Sequence, residues 1–236
     1  MTEQPFASKD PGSKPSVAHP AASVILLRPA SAGFEVLMLL RAGAIKFAGA
    51  TWVFPGGRIE DSDAPAGDRF TLEAAKSAAA RECREEAGLQ LATDSMIYYS
   101  HWTTPAESKK RFATWFVLDT VAEDQAVLID DHEIVEYRWL TPDEALQQHV
   151  AGDLKLMPPA YITLLELQQC ATMAAARTFA SEREVPQILP RTTTRDDVFY
   201  SLYAEDIAYA SKDLSLDGPK HRIVLGKSGW EYIKTC

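Results

Sequence analysis

The chain has few cysteines and little positive charge, and each shortage excludes a class of protein. Its three cysteines, Cys83, Cys170 and Cys236, are widely spaced and odd in number, and no CxxC pair occurs. This argues against a disulfide framework or a zinc site and favours a reducing compartment. Lys and Arg total 24 against 33 Asp and Glu, a formal net charge of -9. Such an acidic chain is a poor match for nucleic-acid phosphates and for an anionic membrane, so neither is an expected partner.

Long apolar runs are also missing. No segment approaches the roughly 20 consecutive apolar residues that a membrane-spanning helix needs. The first residues, MTEQPFASKDPGSKPSVAHPAA, lack the apolar core of a signal peptide. These features favour a cytoplasmic protein without a membrane partner. With 236 residues, 46% of them hydrophobic, the chain can bury one sizeable core with material left for an appendage.

Apolar runs alternate with helix-forming segments, which predicts a mixed α and β domain. Strands are expected at 23–28, 34–41, 52–54, 96–102, 111–121 and 134–140, and helices at 72–87, 143–150 and 158–181. The first two strands are separated by a short turn and predict a hairpin. Thr71 is a suitable N-cap for the helix at 72–87, and Gly88 suits its C-terminal end.

Three parts of the chain are expected from this pattern. They are a flexible N-terminal tail at 1–20, a core domain at 21–150, and a C-terminal helical extension packed on the core at 151–236. An apolar stripe in the extension, Leu164, Leu165 and Leu167, is explained by packing on the core. A homodimer interface and a lid over the functional site are the alternatives.

The most informative segment is Arg81 to Leu89, RECREEAGL. On a helix, Glu82, Glu85 and Glu86 fall at i, i+3 and i+4 and therefore share one face. Like charges at this spacing destabilise a helix by roughly 0.2–0.5 kcal/mol per pair. A bound divalent cation reverses that penalty, and ligands that are all hard oxygens suit Mg²⁺ or Mn²⁺.

A glutamate pair alone is more often a solvated helix face than a site. Here the pair belongs to a longer pattern, in which Glu73 precedes Arg81 by eight positions and a Pro55-Gly56-Gly57 turn lies upstream. Glycines after a short apolar strand mark a tight turn that another group can approach closely. The joint pattern therefore favours a functional site.

This pattern resembles the Nudix box, G-x5-E-x7-R-E-U-x-E-E-x-G-U, in which U is an aliphatic residue. The matching positions are Glu73, Arg81, Glu82, Cys83, Glu85, Glu86, Gly88 and Leu89. Gly57 lies sixteen positions before Glu73 instead of six, which indicates an insertion of about ten residues near 61–70. Gly67 satisfies the literal spacing, so either glycine is a candidate for the box position.

The resemblance implies a Nudix α/β/α sandwich with a mixed sheet, plus additional C-terminal helices. It implies a hydrolase that uses Mg²⁺ or Mn²⁺ to cleave the diphosphate linkage of a nucleoside diphosphate joined to another moiety. By resemblance the metal site comprises Glu82, Glu85, Glu86, Gly57 and, from a late loop, Glu133. The catalytic set comprises Glu82, Glu85, Glu86, Arg81 and Glu73.

Two roles within this set stay open. Glu82 is either a metal ligand or the general base. Arg81 and Glu73 either form an orienting salt bridge or, because eight residues separate them, each hold a different group. Glu136 is a weaker candidate than Glu133, since a solvated turn explains it as well.

The flanking segments resemble the coenzyme A diphosphatases of this family, those with an interrupted box. Coenzyme A-like, ADP-ribose-like and dinucleotide substrates are all candidates, and the partner is a small-molecule nucleotide. Arg41, Arg111 and Phe54 are assigned to substrate binding, because arginine offers a fork to phosphate. Both arginines are equally explained as exposed strand residues. A Nudix-fold sensor that binds a nucleotide without cleaving it is the alternative function.

Overall fold

The computed structural model describes residues 16–31, 33–43, 50–226 and 229–236. The chain divides into two compact units. The larger unit comprises Pro20–His101 and Thr114–Pro186, and the smaller comprises Trp102–Ala113 and Gln187–Cys236 together with residues 16–19. Residues 1–15 of the expected tail lie outside the described residues, as do residues 44–49 of the expected loop at 42–51. The expected boundaries at 20 and 150 stay predictions.

Twelve strands and four α-helices form in the described residues. The strands are β1 His19–Ala30, β2 Gly33–Arg41, β3 Trp52–Val53, β4 Gly56–Arg58, β5 Ile97–Thr103, β6 Phe112–Thr120, β7 Ile134–Leu140, β8 Gln187–Ile188, β9 Arg191–Arg195, β10 Val198–Leu202, β11 His221–Gly226 and β12 Gly229–Lys234. The helices are α1 Leu72–Ala87, α2 Pro142–Ala151, α3 Pro158–Leu167 and α4 Met173–Glu182. Short 3₁₀ turns lie at Asp61–Asp63 and Thr93–Ser95. Among the residues that the structure describes, no helix is both long and apolar enough to cross a membrane.

The sheet of the larger unit is built around β1, which is buried from Pro20 to Leu27. Its strand order is β3-β2-β1-β6-β5, with β4 also paired to β1 and β7 to β2. The expected hairpin of β1 and β2 is confirmed, with Leu27 opposite Val36. The expected α+β class with a mixed sheet is confirmed as well.

Helix α1 begins and ends where the sequence predicts. The Thr71 hydroxyl accepts a hydrogen bond from the Ala74 N–H, and Gly88 takes a left-handed conformation at φ 71° that ends the helix. The buried side chains on its inward face are mostly small. They are Ala74, Ala75, Ala78, Ala79, Cys83 and Ala87. Each buried methyl group contributes about 0.8 kcal/mol, and short side chains allow close approach to β4. Glu86 lies on the same face and is only 5% exposed.

The single long helix expected at 158–181 is wrong, because the chain forms α3 and α4 with a break at 168–172. The Gln169 and Cys170 N–H groups close tight turns onto Glu166 and Leu167. Thr172 then caps α4 by accepting a hydrogen bond from the Ala175 N–H. A threonine cap restarts a helix more readily than it continues one, since its hydroxyl competes for backbone N–H groups.

The helical character expected for 151–236 is wrong from Gln187 onward. There the chain forms an antiparallel sheet of order β12-β11-β10-β9. In its core Asp206 accepts two hydrogen bonds from the Arg222 guanidinium, each 2.6 Å long, and both residues are buried. Such a pair is costly to break, because the partner that remains is a buried charge without compensation.

Candidate active site

The Pro55-Gly56-Gly57 turn is pinned to the sheet beneath α1. Gly56 lies opposite Ser23 of β1, whose hydroxyl donates to the Pro55 carbonyl at 3.0 Å. The Gly56 N–H donates to Glu86 Oε2 at 2.8 Å. The turn therefore meets the carboxylate face of α1, as the sequence predicts for a turn that another group approaches.

Gly57 has a packing reason to lack a side chain. A Cβ at this position would lie 2.3 Å from Glu82 Oε1, much closer than any real contact. The other candidate, Gly67, closes a turn onto Ala64, and a Cβ there would meet nothing within 4 Å among the described residues. Of the two glycines, the structure brings Gly57 to the carboxylates.

Glu86 forms no ion pair with any residue that the structure describes. Burial raises its pKa to about 8, and the Gly56 N–H offsets only part of that effect. The negative charges of Glu82 and Glu133 raise this pKa further, and the positive charge of Arg41 lowers it. Burial also raises the pKa of Glu82, against the opposing effect of Arg81. A buried carboxylate and a half-buried one, both with raised pKa values, mark a place that favours added positive charge.

The Arg81 guanidinium uses all of its nitrogens. Nε and Nη2 donate to the two carboxylate oxygens of Asp63 at 3.0 and 2.8 Å. Nη1 donates to Glu82 Oε1 and to Glu85 Oε2, both at 2.9 Å. Nη2 also donates to the Arg58 carbonyl at 2.9 Å. Hydrogen bonding to Asp63 is the main reason that the pKa of Arg81 is raised further above its ordinary value.

The expected salt bridge between Arg81 and Glu73 is wrong. Glu73 is exposed, and within the described residues its side chain takes part in no ion pair or hydrogen bond. Eight residues of helix separate the two by about 12 Å. Asp63 is the partner instead, and the sequence analysis missed it. A signal was present, since five residues separate Gly57 from Asp63, as in the first half of the box, but with Asp in place of Glu.

Glu133 and Arg41 border the buried carboxylates. Asp130 accepts hydrogen bonds from the Glu133 and Ile134 N–H groups at 3.1 and 2.9 Å, which fixes the loop that carries Glu133. Glu133 Oε2 pairs with Arg41 Nη2 at 3.4 Å, and the charges of both residues act on Glu86. Glu136 instead pairs with Arg138, further along β7.

Two of the residues assigned to substrate binding have structural partners. Arg111 lies in the smaller unit, where its guanidinium donates to the Thr104 carbonyl at 3.1 Å and the Ser16 carbonyl at 2.8 Å. Phe54 is only 3% exposed and packs edge-on against Phe116 with ring centres 6.4 Å apart. Of the three, Arg41 alone is brought next to the carboxylates by the contacts above.

Comparison with known proteins identifies the family of this chain. The NUDIX domain family model matches residues 17–159, which is more than half of the chain. The chain belongs to the Nudix family. It is thereby a Nudix-type pyrophosphohydrolase, a class of enzyme that acts on small-molecule nucleotide substrates and generally uses divalent metal ions.

Curated relatives and solved structures are similar at low identity. "Putative nudix hydrolase 7" of Caenorhabditis elegans is 27% identical over 84% of this chain and 77% of its own length. An acyl-coenzyme A diphosphatase of Xenopus laevis is 27% identical over 53% of this chain, but this match spans only 35% of that protein. A crystal structure of a NUDIX hydrolase from Alicyclobacillus acidocaldarius superposes with a TM-score of 0.63 at 20% identity, over 72% of this chain and 99% of that one. That superposition shows the shared Nudix fold.

The carboxylate oxygens of this Nudix site suit a hard divalent cation, although the three glutamate side chains do not point toward one common position. In the described ranges, no three Asp, Glu, His or Cys side chains stand close enough together to hold a metal ion. Glu86 is turned toward Gly56, whereas Glu82 and Glu85 are turned toward Arg81. The buried, uncompensated carboxylate of Glu86 supports the fit, because a cation offsets the charge that burial makes costly.

Proposed function

We propose that this Nudix hydrolase binds Mg²⁺ or Mn²⁺ through Glu82, Glu85 and Glu86 and cleaves the diphosphate linkage of a nucleoside diphosphate joined to another moiety. The observation that carries the proposal is the burial of Glu86 beside Glu82 at the Gly56–Gly57 turn. Glu86 is only 5% exposed, lies on the same face of α1 as the buried alanines and Cys83, and accepts one hydrogen bond, from the Gly56 N–H, so its burial is costly for a charged carboxylate.

A bound divalent cation supplies charge neutralisation and an activated water at the phosphates. Glu86 and Glu85 are proposed as its ligands, with the Gly57 carbonyl. Glu82 is proposed as a further ligand or as the base that accepts the proton of the water.

Arg41 and Glu133 are proposed to act at the substrate side. Their ion pair is loose at 3.4 Å, and the Glu133 side chain is 63% exposed, so little energy is lost when it opens. Arg41 is then free to bind a phosphate, and Glu133 is free to join the metal ligands. The assignment of Arg111 to substrate binding stays a prediction.

The substrate class is proposed from the relatives. The acyl-coenzyme A diphosphatase supports a coenzyme A-like substrate, and ADP-ribose-like and dinucleotide substrates remain in the proposal. The three cysteines are free, which supports a reducing, cytoplasmic compartment.

A substrate panel with matched variants tests the function. Coenzyme A, acyl-coenzyme A, ADP-ribose, NADH, diadenosine polyphosphates and nucleoside triphosphates are incubated with the protein and Mg²⁺ or Mn²⁺, and the products are separated by chromatography. Glu86→Gln removes the proposed ligand but keeps an acceptor for the Gly56 N–H. Its rate is expected to fall by more than the roughly 10–100-fold that loss of an outer-shell group costs.

Glu123→Gln is the matched control, because Glu123 is exposed and far along the chain from these groups. It should retain the wild-type rate. Turnover that is independent of metal, or equal in wild type and Glu86→Gln, contradicts the proposal. Tight binding of a nucleotide with no turnover by either protein supports a sensor instead.

A further inference from the structure

We infer that Asp63 is a positioning residue of this site, which fixes the Arg81 guanidinium and through it the carboxylates of Glu82 and Glu85. The inference rests on the proposed function, since it gives Asp63 a role only if Glu82 and Glu85 hold a cation. It also reassigns a role, because the spacing of the sequence gives this place to Glu73.

The Asp63 carboxylate is built to hold one orientation of a guanidinium. Its side chain is only 5% exposed, and Oδ1 accepts from Arg81 Nε while Oδ2 accepts from Arg81 Nη2. The carboxylate accepts a third hydrogen bond, from the Glu60 N–H to Oδ2 at 2.9 Å. The Asp63 N–H donates to the Glu60 carbonyl at 3.1 Å, so backbone and side chain are both fixed. A two-pronged bond between guanidinium and carboxylate fixes the plane of the guanidinium as well as its distance.

One nitrogen of Arg81 then remains for the proposed metal ligands. With Nε and Nη2 committed to Asp63, Nη1 points between Glu82 Oε1 and Glu85 Oε2, 2.9 Å from each. The Glu82 side chain is 16% exposed and that of Glu85 is 51% exposed, so Glu85 depends more on this contact for its position. Without Asp63, a single hydrogen bond from Nη2 to the Arg58 carbonyl remains on that side, so the guanidinium can turn about it and no longer holds both carboxylates at once.

Charge acts in the same direction as geometry. Asp63, Glu82 and Glu85 are negative and Arg81 is positive, so the four side chains carry a net charge of minus two. Removing the Asp63 charge halves that value and leaves Arg81 neutralised only by the groups proposed to bind the cation. Arg81 then competes with the cation for Glu82 and Glu85, which weakens cation binding.

Glu73 offers neither effect. It is exposed and lies about 12 Å along the helix from Arg81. Asp63, in contrast, follows Gly57 at the interval of five residues that the box places between its glycine and its first carboxylate. The inserted residues follow Asp63, so the box is divided after its first acidic residue and not before it.

Binding of Mn²⁺ to the substrate-free protein tests the inference directly. The free Mn²⁺ signal in electron paramagnetic resonance gives a Kd for wild type, Asp63→Asn, Asp63→Glu and Glu73→Gln. For Asp63→Asn we expect a Kd about 10–100-fold higher than for wild type, the usual range for an outer-shell partner. Asp63→Glu keeps the negative charge and should therefore lose less affinity than Asp63→Asn. The Mn²⁺ Kd of Glu73→Gln should stay within twofold of that of wild type.

Turnover of the best substrate in the panel supplies the second readout. Asp63→Asn should lower kcat more than it raises KM, because the substrate contacts are unchanged. Urea unfolding in chelator shows whether the variant is folded. If Asp63→Asn does not fold, Arg81→Lys decides, since a lysine cannot bind Asp63 in two-pronged fashion and also reach both glutamates. It should raise the Mn²⁺ Kd by a similar factor.

The inference is overturned if folded Asp63→Asn, or Arg81→Lys in its place, binds Mn²⁺ as tightly as wild type. It is also overturned if Glu73→Gln weakens Mn²⁺ binding as much as Asp63→Asn. A wild-type protein that binds no Mn²⁺ and cleaves nothing in the panel overturns the proposed function together with this inference. Wild-type binding with an unaffected Asp63→Asn overturns this inference alone.

Discussion

Glu86→Gln should make the metal-free protein more stable, and the gain should grow with pH. Burial raises the pKa of Glu86 in the folded protein to about 8, whereas an unfolded chain gives a glutamate a pKa near 4.3. Between these values the folded state holds one proton more than the unfolded state. The free energy of unfolding of wild type therefore falls as pH rises through this window, and the loss is complete above about pH 8.

The size of the effect follows from the width of the window. Each pH unit within it costs about 1.4 kcal/mol, and only part of the last unit before pH 8 counts because Glu86 is then half ionised. From pH 5 to pH 8 the free-energy difference between Glu86→Gln and wild type should therefore increase by about 3.5 kcal/mol. Glutamine has nearly the same shape and keeps an acceptor for the Gly56 N–H, so it mimics the protonated acid.

Urea unfolding of both proteins in chelator, at pH 5, 6, 7 and 8, measures this difference. Groups remote from Glu86 whose pKa shifts on folding are common to both proteins and largely cancel. The exposed control Glu123→Gln should give a difference that does not depend on pH. A Glu86→Gln difference that stays constant from pH 5 to pH 8, or that shrinks, refutes the account of Glu86 as a buried, uncompensated carboxylate.

Two further substitutions follow from contacts in the structure. Gly57→Ala places a methyl group against the end of the flexible Glu82 side chain, so Glu82 should turn away and the Mn²⁺ Kd should rise about tenfold. Urea unfolding should change little. Gly226→Ala is the control, because a Cβ there meets nothing within 4 Å among the residues that the structure describes. Asp206→Asn leaves the buried Arg222 without its charge partner and should lower the free energy of unfolding of the smaller unit by about 3–5 kcal/mol, seen as faster limited proteolysis after residue 187; proteolysis at the wild-type rate contradicts this.

Local chemistry made the central elements predictable. The bounds of α1 follow from a threonine cap, a run of alanines and a terminal glycine, all of which act within a few residues of where they stand. The same holds for the β1–β2 hairpin. Beyond residue 168 the local signals are weaker. The apolar period of α3 continues into α4, and Thr172 alone marks the interruption. The strands after Gln187 are short, with polar residues such as Thr192–Thr194 in β9.

Whether a site residue could be predicted depends on whether neighbours in sequence or distant segments fix its position. Glu82, Glu85 and Glu86 share a helix, so their spacing places them on it, but it does not give their orientation: Glu82 and Glu85 turn toward Arg81 and Glu86 toward Gly56. Of the two alternatives left open for Arg81, the salt bridge with Glu73 was wrong, because its partner, Asp63, is reached through space and not by helix spacing. Arg111 shows a different limit, since a guanidinium binds backbone carbonyls as readily as phosphates and the sequence does not distinguish the two acceptors.

The position of Asp63 explains how an insertion can interrupt this motif without disturbing its carboxylates. Asp63 is the last residue before α1 that contacts Arg81, and Thr71 caps the N-terminus of α1. Between them the described contacts are local or peripheral, such as Arg69 with Asp61 and Phe70 with Trp115. Lengthening a loop at such a point costs little, roughly 0.6 kcal/mol for each doubling of its length. An insertion before Asp63 would instead separate Gly57 from the carboxylate that holds Arg81, so the loop after Asp63 is where length can vary while the site is preserved.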